Sequence, residues 1–72
     1  MAPTVRRVIA GPSWVDGAVA RIVELTDGSG RIETLTPSGW VPETAGGIDG
    51  SEVLKGPRAS PDKIAAASGN AS

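Results

Sequence analysis

The sequence predicts a small, mainly β protein: a three- to four-stranded antiparallel sheet, with barrel-like closure permitted, followed by a Gly/Pro-rich C-terminal arm and a short terminal helix. Three observations carry this prediction. Residues 18–36 (AVARIVELTDGSGRIETLT) hold the densest run of β-branched residues, broken by one sharp turn signal. Most of the large aliphatic residues lie before position 42. Beyond it the chain is rich in glycine, alanine and serine, and only Ile48, Val53, Leu54 and Ile64 remain as large aliphatics. Residues 1–43 are therefore expected to form the β domain, and residues 44–72 an extended arm.

Taken in order, residues 1–4 are a short polar lead. Residues 5–10 (VRRVIA) read as a short strand that Gly11-Pro12 ends. Ser13 to Gly17 then form a turn-flanked tryptophan segment. A helix over 13–25 is the competing reading, with Ser13 as cap and Val15, Val19, Ile22 and Leu25 as a near stripe. Gly17 and the β-branched residues at 15, 19, 22 and 23 favour a strand.

The hairpin register follows from the turn. Gly28-Ser29 as a two-residue loop puts glycine where a type II′ turn needs φ > 0. Leu25 then faces Ile32, Glu24 faces Glu33 and Ile22 faces Leu35. In this register Val19, Val23, Leu25 and Ile32 share one face with Arg21 and Thr34. The other face carries Ala18, Ala20, Ile22 and Leu35. Both faces are partly apolar, so each needs a cover.

A third strand begins near Gly39-Trp40-Val41-Pro42. This tetrapeptide resembles the glycine-aromatic-aliphatic-proline segment of Src-homology-3-type small barrels. There the aromatic and the proline help to line a groove for proline-rich peptides. The resemblance covers four residues of 72, and the family's tyrosine-bearing motif has no counterpart, since the chain lacks tyrosine. Further on, residues 51–55 (SEVLK) read as one helical turn stopped by Gly56-Pro57. Ser60-Pro61-Asp62 supplies a cap, a first-turn proline and a first-turn acid for a terminal helix ending at Gly69.

Composition narrows function more than any motif does. Val, Ile, Leu and Phe total 15 of 72 residues, whereas Gly and Pro total 16. So thin a core supply in so short a chain points to order gained by assembly. Without cysteine or histidine, disulfides, thiolate or imidazole metal sites and the common nucleophile–histidine pairs are unavailable. A serine–lysine pair would have to use Lys55 or Lys63, both in the C-terminal arm. Glu24 opposite Glu33, with Asp27 near, is a candidate cation site that a solvated hairpin tip explains better. No cofactor and no metal is expected. The net charge of −1 and the single Arg6-Arg7 pair give no basic stripe for nucleic acid. No apolar run reaches the ~20 residues of a membrane span. The N-terminus lacks the apolar core of a secretion signal, so cytoplasmic synthesis without export is expected, with a virion as a compatible destination. Asn70-Ala71-Ser72 matches a glycosylation acceptor that has no export context.

These exclusions leave a non-enzymatic small structural protein, an accessory component of a larger symmetric assembly such as a phage-type virion decoration or head-tail protein. The alternative is a free binding module, adaptor or inhibitor, that uses the Trp40 face. Protein partners or further copies of the chain are expected, and no nucleic acid, membrane or small-molecule substrate. The expected partner-binding residues are Trp40, Pro42, Ile48, Val53, Leu54 and Ile64. Trp14 is expected to pack over Ala18 and Ala20.

Overall fold

A computed structural model describes residues 2–43 and 47–69. Four strands, β1 (Val5–Val15), β2 (Ala18–Leu25), β3 (Gly30–Thr36) and β4 (Gly39–Pro42), form an antiparallel sheet in sequence order. Two short helices follow, α1 (Gly50–Lys55) and α2 (Pro61–Ala67). The protein is thus mainly β, as its sequence predicts. β1 and β4 are the two edges, so the sheet is open rather than barrel-like.

β1 does not end at Gly11-Pro12. The strand continues to Val15 by absorbing extra residues at three register shifts against β2. Gly11 has φ +98°, and a Cβ there would lie 2.8 Å from the Ala20 carbonyl oxygen. Only glycine lets the bulged backbone approach β2 so closely. The β1–β2 connection is a tight hairpin: Val15 pairs with Ala18 across Asp16-Gly17, both at positive φ. This is the type I′ Asp-Gly turn, whose twist suits two right-twisted strands. It settles residues 14–25 as two strands joined by a turn rather than a helix.

The second turn corrects the expected register. Leu25 N–H donates to Ser29 O at 2.8 Å, and Gly28 N–H donates to Leu25 O at 2.9 Å. Thr26-Asp27-Gly28 is therefore a three-residue loop with Gly28 at φ +88°, a type I turn followed by a left-handed residue. Asp27 Oδ1 accepts hydrogen bonds from the N–H and Oγ of Ser29, which favours this loop over the two-residue Gly28-Ser29 alternative. Ile22 faces Ile32 and Arg21 faces Glu33, a slip of three places from the expected pairs. An odd slip exchanges the faces of β3. Ile32 and Thr34 therefore join Ala20 and Ile22, while Arg31, Glu33 and Leu35 join Val19, Arg21 and Val23.

Both faces carry a cover. On one face Val15, Ala20, Ile48 and Val53 form a buried cluster, with Ala10, Ala18, Ile22 and Ile32 packed around it. α1 lies here, capped by Asp49, whose carboxylate accepts from Glu52 N–H at 3.0 Å. Ser13, buried in β1, donates its Oγ to Val53 O at 2.7 Å. The chain then runs along the outer edge of β1. Trp14 N–H donates to Pro57 O, Ala59 N–H donates to Pro12 O, and Ser13 bridges Arg58. α2 reaches β2 and β3 on the other face, where Val19 and Val23 are fully buried and Lys63 Nζ stands 4.2 Å from the centre of the Trp14 ring. Its start matches the sequence signals, with Ser60 as cap and Pro61 in the first turn. Residues 47–69 are thus folded back on the sheet, with Ile48, Val53 and Ala59 buried against it, not extended away from it. Residues 44–46 of the expected arm and the Asn70-Ala71-Ser72 triplet lie outside the described residues.

Candidate functional site

The six expected partner-binding residues fall in four places. Ile48 and Val53 are inside the chain's own core, at 9% and 1% exposure, beside Val15 and Ala20. Burial there removes them from any contact made by the folded chain. Leu54, the next residue of α1, points outward and is 67% exposed. Ile64, on α2, is half-buried. Trp40 and Pro42 sit together on β4, the former half-buried and the latter exposed. The structure therefore brings Trp40 and Pro42 together on β4 and turns Leu54 outward on α1.

Around Trp40 the sheet builds a charged layer. The Arg21 guanidinium lies 4.2 Å from the ring centre of Trp40. Arg21 also donates from Nε and Nη2 to Glu33 Oε1, at 2.9 and 2.7 Å. Arg31 Nη2 donates to the other oxygen of Glu33 at 2.6 Å, leaving its own Nε buried without a partner. The Glu33 side chain is 3% exposed. Burial pushes its carboxyl up, but the hydrogen bonds and charges of Arg21 and Arg31 together outweigh burial and hold it below the usual glutamate range. Glu33 is thus a structural anion that fixes two arginines, one of which stiffens Trp40. Glu24, which sequence spacing puts opposite Glu33, instead accepts from Arg7 Nε at 2.9 Å. The expected proximity of these two carboxylates is corrected by the register, and no group of three His, Cys, Asp or Glu residues that could hold a metal occurs among the described residues.

Two clefts flank α1. One, of about 200 Å³, lies between β1 and the helix and is lined by Ala10, Gly11, Pro12, Leu54 and Arg58 among others. The other, of about 380 Å³, is an open notch against Trp14, Asp16, Glu52 and Lys55. Of the serines that line them, Ser13 donates to Val53 O, and Ser51 Oγ donates to the Asp49 carboxylate at 2.6 Å. Hydrogen bonds from Ser51 and from the Glu52 N–H hold the exposed Asp49 carboxyl below its ordinary range.

Sequence reasoning missed the most apolar exposed stretch, the first half of β1. Val5, Val8 and Ile9 are 39%, 45% and 54% exposed. The signal was present in VRRVIA, where apolar residues fall on both faces of a strand with too little chain around it to cover both. No helix among the described residues is long and apolar enough to cross a membrane. Compared with protein families, curated proteins and solved structures, the chain finds no match. Its function must therefore be argued from its own residues.

Proposed function

We propose that this protein is a non-enzymatic accessory component of a larger protein assembly, of the class represented by virion decoration and head-tail proteins. The observation that carries the reading is the distribution of its apolar residues. A chain with few large aliphatics uses Val15, Val19, Val23, Val53 and Ile48 to close its own core. It nevertheless leaves Val5, Val8, Ile9 and Leu54 outside. Val5, Val8 and Ile9 lie close together along one edge strand, and such an exposed apolar stretch supports an interaction surface. The polar groups support the same reading, because the most buried carboxylate is neutralised by two arginines and the buried serine is bonded to backbone.

The test is fractionation of the native source, with this chain quantified by mass spectrometry across a density gradient. The expected result is recovery in high-mass particles at a fixed ratio to a repeated subunit. Recovery only in low-mass fractions would refute the reading. A second reading, a free module that binds through β4, is favoured by the exposure of Val41 and Pro42 beside Trp40. It predicts a low-mass complex that Trp40→Ala abolishes.

A further inference from the structure

Within that reading, on which this step rests, we propose that the outer edge of β1 over residues 5–10 is a docking strip for an extended, acidic and apolar segment of a partner protein. Three observations meet there. First, β1 is an edge strand whose outer side is only half covered. Residues 57–59 run along residues 12–14, with hydrogen bonds of 2.8 Å from Trp14 N–H to Pro57 O and 3.0 Å from Ala59 N–H to Pro12 O. Among the described residues no strand continues this cover along residues 5–10.

Second, four of the five exposed large apolar residues border this vacancy: Val5, Val8 and Ile9 on the strand, and Leu54 across the cleft from Ala10. A segment added to β1 in line with residues 57–59 would run past all four. Strand addition supplies affinity through the backbone and selectivity through side chains that meet such residues.

Third, the charge is one-sided. Arg7 is engaged by Glu24 at 2.9 Å, but Arg6 at one end of the strip and Arg58 at the other make no ion pair among the described residues. No acidic residue precedes Asp16 in the sequence. An occupant that spans the strip must bring carboxylates near its two ends and β-branched residues between them. The span from Arg6 to the level of Ser13, where Arg58 bridges, is on the order of 20 Å, or about seven extended residues. A second copy of the chain does not fit this description. Residues 5–10 hold two arginines and no acid, so a second strip cannot supply the carboxylates.

The test uses the full chain, labelled with nitrogen-15, and two peptides of seven residues, acetyl-EVTVTVE-amide and acetyl-KVTVTVK-amide. At millimolar concentration the acidic peptide should shift the amides of residues 5–10 and of Leu54 to Arg58, and the basic peptide should not. The double variant Arg6→Glu, Arg58→Glu should weaken the acidic peptide by about fivefold or more and bring the basic one into the same site. Equal shifts from both peptides, shifts confined to another surface, or no shifts at all would overturn the proposal. Concentration-dependent broadening of residues 5–10 in the protein alone would overturn it in favour of a second copy. If the peptides fail while the chain still sediments with particles, the docking strip is wrong and the accessory role stands. If the peptides bind and no particle carries the chain, the role is wrong and the strip stands.

Discussion

Replacing Val53 by alanine should destabilise the whole sheet although the residue lies in a six-residue helix near the C-terminal end. Val53 is 1% exposed and packs with Val15, Ala20 and Ile48. The substitution removes two buried carbons, worth about 1.6 kcal/mol at ~0.8 kcal/mol each. A residual void of roughly 30–40 Å³ adds about 0.7–1 kcal/mol at ~24 cal/mol per Å³. The sum, about 2.3–2.6 kcal/mol, is large beside the ~4–11 kcal/mol expected for a chain of 72 residues. It should lower the melting temperature by roughly 9–21 °C. Urea denaturation followed by tryptophan fluorescence and by the β signal in circular dichroism measures it, with both probes moving together. Leu54→Ala is the control. Its side chain is 67% exposed, so its effect should stay within about 0.5 kcal/mol. If Val53→Ala melts like the wild type, or if Leu54→Ala is the more damaging change, α1 does not present the face described and the core assignment fails.

Truncation after Glu43 uncovers Val15 and Ala20 and deletes the acceptor of the Ser13 Oγ hydrogen bond, so circular dichroism should show loss of the β signal rather than a trimmed but folded hairpin. Glu33→Ala leaves Arg21 and Arg31 facing each other without their shared anion and should cost about 2–3 kcal/mol by chemical denaturation, since both arginines keep some contact with water. The Glu33 carboxyl is held below its unfolded value, so its contribution is fully present above the usual glutamate range and is lost as pH falls through the lower folded value. Stability measured against pH should therefore decline in acid below about pH 4.5, and less steeply in Glu33→Gln. Gly17→Ala meets open space and should cost only the ~1–2 kcal/mol of a left-handed backbone, whereas Gly11→Ala should cost more, because its Cβ would also collide with Ala20 O at 2.8 Å.

What the sequence made legible was the part carried by local chemistry. The Ser60-Pro61 start of α2 and its Gly69 stop stand where their signals put them, and the β-branched run of residues 18–36 does form the centre of the sheet. The turns were harder because two loop solutions competed at the same glycines. Gly28 adopts the positive φ expected of it, but as the third residue of its loop, and the Asp27–Ser29 hydrogen bonds that favour this choice are visible only once the loop is built. That slip of three places turned an apparent Glu24–Glu33 pair into two separate arginine-bound carboxylates. Asp16-Gly17 is a readable hairpin signal, because an aspartate-glycine pair is the preferred pair of a two-residue type I′ turn. The roles of Val53 and Leu54 were not separable from spacing, because a helix of six residues is too short for periodicity to say which side faces the sheet. For the same reason the exposed edge of β1 emerged only when residues 57–59 were seen to cover its second half and not its first.

Amide hydrogen exchange on the full chain tests most directly the claim that residues 47–69 complete the core and leave β1 as the open edge. Val53 N–H, bonded to Asp49 O, and the amides of Val19 and Val23 in the central strand should exchange with the same free energy, that of global unfolding. The outward-facing amides of residues 5–10 should exchange far faster. Rapid exchange at Val53 while Val19 and Val23 remain protected would contradict the account, because the C-terminal segment would then open independently of the sheet it is said to hold together.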